Sequence, residues 1–184
     1  MTVEQVALQV VDTLNQAGIP YALVGSFASN RWGIPRATKD ADFVLQLTSE
    51  DTGRLWELFG GDFDLDPQLS FETRTGSRKL EMRRRDTPFT IELFLLSSDP
   101  HHQERFRRRV AVEVFGRAVW MPTAEDVIIQ KLRWARSKDL DDARGVLAVQ
   151  GGRLDHAYLE GWCERHGTRG RLDELRQSLS GTIS

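Results

Sequence analysis

The four residues Tyr21-Ala22-Leu23-Val24 constrain this chain more than any other feature. They form a short apolar run with Pro20 before it and Gly25 after it, and read as a buried strand. The chain then turns at once. Ser26 to Trp32 reads as a short helix that Gly33 and Pro35 end. A buried strand that turns through glycine into a helix aims backbone N–H groups, and the positive end of the helix dipole, at one spot. Glycine lets the backbone come close to a ligand. The Ser26 hydroxyl can donate to a phosphate oxygen. The turn therefore has the logic of a phosphate site.

Asp40-Ala41-Asp42 begins the next strand, Asp42 to Leu47, in which Phe43, Val44, Leu45 and Leu47 are apolar. Residues two apart in a strand point to the same face. Asp40 and Asp42 thus present two carboxylates side by side, and their repulsion is costly unless a cation sits between them. Magnesium takes hard oxygen ligands, usually one or two carboxylates together with substrate phosphates. A third acid, Glu92, lies in the apolar run Thr90-Ile91-Glu92-Leu93-Phe94, inside a strand expected from Phe89 to Leu96. If Glu92 shares the face of the aspartates, it can hold a second metal ion or act as general base on an incoming hydroxyl. The plainer reading is a solvated position on the polar face of an antiparallel strand. Glu72 and Glu81 compete for the same role from neighbouring strands.

The remaining elements set these features in order. Val3, Val6, Ala7, Val10, Val11 and Leu14 have helical spacing, and Gly18 stands where that helix stops. Thr48-Ser49-Glu50-Asp51 opens a further helix with a capping pattern around Ser49, and Gly60-Gly61 ends it. Leu69 to Thr73 and Leu80 to Arg83, separated by Gly76-Ser77, read as a hairpin. Val110 to Phe115 and Ala118 to Met121 read as another, around Gly116. From Thr123 the chain is helical, with further helices expected over Asp139 to Val149, Asp155 to His166 and Arg171 to Leu179. The organisation is α/β (α+β): a small mixed sheet flanked by helices, then a helical C-terminal segment.

The ordered motifs Gly25-Ser26 and Arg36-Ala37-Thr38-Lys39-Asp40-Ala41-Asp42-Phe43 resemble the signature of the polymerase-beta-type nucleotidyltransferase superfamily. The spacing Arg-x-Thr-x-Asp-x-Asp is most similar to the AbiEii-like group of toxin–antitoxin and phage-defence systems. Glu125 to Leu132, followed by Lys138-Asp139-Leu140-Asp141-Asp142, resembles that group's helical motif. The resemblance implies a nucleotidyltransferase core over residues 1–122 and a helical segment over 123–184 packed on it. It implies that Gly25, Ser26, Arg36, Thr38, Lys39 and Asp142 bind a nucleoside triphosphate. Asp40, Asp42 and Glu92 would hold two magnesium ions. Lys131 would reach phosphate, and Asp142 would orient that lysine or the substrate. The implied activity is transfer of a nucleoside monophosphate to an acceptor: transfer RNA, a protein or a small molecule. A cognate antitoxin protein would be a partner. The alternative is a binder of nucleotide or partner that has the fold without turnover.

Composition narrows the other classes. The formal net charge is -2 over 184 residues, which argues against a general nucleic-acid coat protein. The single Cys163 excludes a disulfide framework and a multi-cysteine zinc site. The N-terminal stretch is acidic and amphipathic, unlike a signal peptide, and no apolar run approaches the roughly 20 residues that span a bilayer. A cytoplasmic location without membrane attachment is expected. Arg83-Arg84-Arg85 and the arginines of Arg105 to Arg109 suit phosphate or RNA contact; a solvated face paired with nearby acids is the preferred reading. His101-His102 reads as a loop pair, and Cys163 as a core residue.

Overall fold

A computed structural model describes residues 1–47, 49–66, 68, 70–71 and 76–181, without the side chains of 49–52. The first helix, α1 (Val3–Ala17), starts at a reciprocal cap in which the Thr2 hydroxyl accepts from the Gln5 amide and the Gln5 side chain accepts from the Thr2 amide. Gly18, at φ +68°, ends it in the left-handed conformation that glycine adopts without steric cost. The predicted apolar stripe of α1 is buried.

The strands are β1 (Tyr21–Leu23), β2 (Asp40–Leu45), β3 (Phe63–Leu65), β4 (Ser70–Phe71), β5 (Arg78–Arg84), β6 (Thr90–Leu95), β7 (Val110–Val114) and β8 (Arg117–Met121). The main sheet runs β1-β2-β6-β5-β3, with β4 also paired to β5. Among the described residues only β2 and β6 pair in parallel, in a register that sets Asp42 beside Glu92 and Phe43 beside Leu93; the other pairs of this sheet are antiparallel. The sheet is therefore mixed, as expected. Alternation sends Ala41, Phe43, Leu45, Ile91 and Leu93 into a core shared with α1. The opposite face then carries Asp40, Asp42, Glu92 and Phe94. β7 and β8 form a separate hairpin.

The helices after α1 are α2 (Gly25–Trp32), α3 (Ser49–Phe59), α4 (Pro100–Arg107), α5 (Ala124–Trp134), α6 (Ser137–Gln150), α7 (His156–Arg165) and α8 (Arg169–Ser180). Helices α5 to α8 pool Val127, Ile128, Leu132, Val146, Leu159 and Leu172 in a second core, to which α2 adds Ala28. α6 crosses the end of α2 closely: a Cβ on Gly33 would lie 2.8 Å from the Val146 amide nitrogen. Trp32 packs against both cores and donates its indole N–H to the Pro122 carbonyl at 2.9 Å.

Three expectations need correction or bounding. His101 and His102 are helical and buried rather than in a loop, because Asp99 caps α4 and Pro100 occupies its first turn. His101 Nε2 lies 3.1 Å from Asp126 Oδ1, which also accepts from the Tyr158 hydroxyl at 2.7 Å, tying α4, α5 and α7 together. The second basic cluster is not simply a solvated face: Arg107 does pair with Glu104 in the open, but Arg105 is buried. Arg83, Arg84 and Arg85 do pair with acids, namely Glu81, Asp62 and Asp64. The expected cap at Thr48-Ser49, the run Leu69 to Thr73 and the candidate Glu72 fall partly or wholly outside the described residues; of that run Ser70 and Phe71 pair with β5. Cys163 is a free, buried thiol, as expected of a core residue.

Ile128 is wholly buried in the second core. Ile128→Ala should lower unfolding free energy by about 2–5 kcal/mol, read from urea denaturation followed by circular dichroism.

Candidate active site

The site grows from the pairing of β1 with β2. The Val24 amide donates to the Asp42 carbonyl at 2.8 Å, which lays the Gly25 turn directly over Asp42. Gly25 has φ +58°, and a Cβ there would overlap the Asp42 carboxylate. Both facts demand glycine. Ser26 follows in the first turn of α2, so the amino end of that helix opens beside the aspartates. Asp40 and Asp42 share a face of β2, and the parallel register brings Glu92 next to Asp42. Thr38 braces the entry to the strand, its hydroxyl donating to the Asp40 carbonyl at 3.1 Å and accepting from the Asp40 amide at 3.3 Å.

A second group of charges arrives from the helical part. Lys131, on α5, is buried, whereas a lysine on an amphipathic helix is ordinarily at the surface. Its Nζ donates to Asp142 Oδ2 at 2.7 Å and to Asp139 Oδ1 at 3.1 Å. Asp142 also takes a forked pair of bonds from Arg36, Nε to Oδ1 at 2.7 Å and Nη2 to Oδ2 at 3.0 Å. That guanidinium reaches the Ser26 hydroxyl at 3.1 Å. Asn30 holds the Arg36 backbone through bonds of 2.8 and 3.0 Å. Arg136 pairs with Asp139, which also accepts from the Arg136 amide; Asp139 thus caps α6 as well as holding the lysine. Burial opposes the charge on Asp142, but the bonds from Arg36 and Lys131 outweigh it and keep the carboxyl below the usual range. Asp139 is held low in the same way, by Arg136 and Lys131. Removing one member of such a buried set leaves a charge unpaired, at a cost of about 3–5 kcal/mol.

The aspartate pair has the opposite balance. Burial, then the charges of Glu92 and Asp40, push the Asp42 carboxyl from the ordinary 3.8 up to about 7. Lys131 and Lys79 offset this only in part. Glu92 is engaged by Lys79, Nζ to Oε1 at 2.6 Å. Among the described residues no three carboxylate, imidazole or thiol groups converge as a closed metal cage. A magnesium ion shared with substrate phosphates needs no such cage, and the hard oxygens of Asp40 and Asp42 could hold it. Their crowding is the observation that makes a cation fit there.

Gly25, Ser26, Arg36, Asp40, Asp42, Glu92 and Lys131 open onto one cleft of about 1070 Å³, counted to its mouth. Asp142 stands behind it, through Arg36 and Lys131. Thr38 and Lys39 are not part of its lining, and Lys39 is exposed. Lys79, Phe94, Trp134, Arg136 and Lys138 also line the cleft, and sequence reasoning assigned none of them to the site. For Lys79 and Phe94 a signal existed. The alternation Lys79-Leu80-Glu81-Met82 puts Lys79 and Glu81 on the polar face of β5, in register with Phe94 and Glu92. Trp134 and Arg136 flank the left-handed Ala135, which ends α5, and no periodicity announces that turn.

No protein-family model matches the chain, and no curated protein matches it. Solved structures do. The crystal structure of ANT(2")-Ia in complex with adenylyl-2"-tobramycin aligns with a TM-score of 0.64 at 14% identity, over 92% of this chain and 99% of that one. An antigenic nucleotidyltransferase-like protein from Paracoccidioides brasiliensis gives 0.58 at 19% identity, over 97% and 90% of the two chains. The lincomycin-bound lincosamide antibiotic adenylyltransferase LnuA gives 0.55 at 9% identity, over 80% and 98%. At such identities the likeness is one of architecture: this chain has a nucleotidyltransferase fold.

Proposed function

We propose that the chain is a magnesium-dependent nucleotidyltransferase that moves a nucleoside monophosphate from a nucleoside triphosphate to an acceptor oxygen. The observation that carries this reading is the convergence of Asp40, Asp42 and Glu92 with the Gly25-Ser26 turn and Lys131 on one cleft. The acceptor oxygen attacks the α-phosphorus, the bond from that phosphorus to the bridging oxygen breaks, and pyrophosphate leaves with the electron pair. Magnesium, held by Asp40 and Asp42, would neutralise the charge that builds on the phosphates. The amides at the start of α2 and the Ser26 hydroxyl hold the terminal phosphates. Lys131 and Arg36, kept in place by Asp142, meet the same oxygens. Asp40 and Asp42 hold the metal. Glu92, once drawn from Lys79, takes the acceptor proton or a second ion.

The acceptor reading favours a small-molecule hydroxyl. The support is the likeness to structures that contain adenylyl-2"-tobramycin and lincomycin. The toxin–antitoxin setting, with a cognate antitoxin, rests on the Arg36 to Asp42 motif and the helical motif alone. A second reading, a nucleotide binder without turnover, is favoured by one observation: the 2.6 Å pair that ties Glu92 to Lys79. No helix among the described residues is long and apolar enough to cross a membrane.

Asp40→Ala or Asp42→Ala should lower magnesium-dependent pyrophosphate release at least about 100-fold, with circular dichroism unchanged; full activity in either variant would remove the metal assignment. A separate test uses pH. Folded Asp42 keeps its proton up to about pH 7, and the unfolded chain loses it near 3.8, so stability falls as pH rises between those values. Metal-free Asp42→Asn should therefore melt a few degrees above the parent chain at pH 8, and the gap should close by pH 4. Magnesium at pH 8 should raise the melting temperature of the parent chain and not that of the variant.

A further inference from the structure

Among the described residues that line the cleft, Lys79 is the one cation supplied by a strand. Its ammonium lies 2.6 Å from Glu92 Oε1. No other lysine or arginine among the described residues stands within ion-pair distance of Asp40, Asp42 or Glu92. Alternation puts Lys79 and Glu81 on one face of β5, in register with Phe94 and Glu92. Glu81 is answered from its own strand, by Arg83 at 2.9 Å. Glu92, Glu81 and Asp42 all act on the charge of Lys79, and Lys79 in turn eases the crowding at Asp42.

The lysine is also anchored. Its backbone pairs with Phe94 on one side and Ser70 on the other, and the Ser70 hydroxyl donates to the Lys79 carbonyl at 3.3 Å. Its side chain is only 21% exposed, and Nζ lies 6.0 Å from the centre of the Phe94 ring. A surface lysine that merely balanced charge would extend its ammonium into water. The position matters for metal binding. In a two-ion displacement the second ion clamps the attacking oxygen, and here it would need Glu92 beside Asp42. Magnesium demands near-octahedral oxygen ligands and sheds its waters reluctantly. One of the two carboxylates it would need is already bonded to a compact like charge. Asp40 and Asp42 remain for one ion.

We propose that Lys79 takes the place of the second metal ion, so that the site works with a single exchangeable magnesium. This role rests on the nucleotidyltransferase reading and decides between the two tasks open to Glu92. The acceptor O–H bond breaks, its proton goes to Glu92, and the freed oxygen forms the bond to the α-phosphorus as pyrophosphate leaves. When the acceptor draws Glu92 off, the ammonium stays in the carboxylate wall and supplies fixed positive charge where a second ion would bring it. Lys79 is thus a positioning residue: it holds Glu92 ready and keeps a second ion out.

Counting bound manganese by equilibrium dialysis tests this without turnover. The probes are manganese and the α,β-methylene analogues of the four common nucleoside triphosphates, each in turn at saturation. The parent chain should bind one manganese ion per bound nucleotide. Lys79→Met and Lys79→Gln, which remove the charge at similar side-chain length, should bind two, and Lys79→Arg should return the count to one. Circular dichroism identifies which of the two neutral variants is folded and fit to count. Two ions on the parent chain, or a single ion on a folded neutral variant, would overturn the role of Lys79 and leave the cleft reading standing. Failure of the parent chain to bind any of the nucleotides with manganese would overturn both.

Discussion

The crowding of carboxylates at Asp42 is the constraint on which the rest of the structure turns. Strand alternation that buries Ala41, Phe43 and Leu45 forces Asp40 and Asp42 onto the opposite face of β2. The parallel pairing with β6 then adds Glu92 at the same level. A slip of one residue would bury the aspartates and expose the core, so the hydrophobic pattern and the site hold one another in register. The Gly25 turn tightens the arrangement from above, since no side chain fits between it and Asp42. The result is a carboxyl whose pKa is pushed to about 7, at a place where a proton or a bound cation relieves the repulsion.

The helical part answers with the opposite chemistry. Asp139 and Asp142 collect Lys131, Arg36 and Arg136 in ion pairs at the wall that faces the aspartates. Arg36 comes from the loop between α2 and β2, and Lys131 from α5, so their shared partner Asp142 links the sheet to the helices. An anion that carries cations of its own, such as a triphosphate with magnesium, is complementary to both walls at once. That is why a single cleft can present carboxylates on one side and guanidinium and ammonium groups on the other.

Much of this was legible in the sequence. The strand–glycine–helix turn, the same-face aspartates and the polar position of Glu92 follow from period-two alternation, which local residues determine. The burial of Lys131 does not. An amphipathic helix pattern leaves a lysine at the surface by default, and only tertiary packing of α6 against α5 supplies Asp139 and Asp142 as partners. α4 was hidden for a related reason: Pro100 reads as a breaker, yet after the capping Asp99 it opens the helix. Strand β3 spans three residues and is too short to show periodicity.

Anomalous diffraction from crystals soaked with manganese and a non-hydrolysable nucleoside triphosphate tests the central claim most directly. The account predicts a manganese peak coordinated by Asp40 and Asp42, with the terminal phosphates on the amides that follow Gly25. A triphosphate seated elsewhere, or a manganese ion that avoids both aspartates, would contradict it.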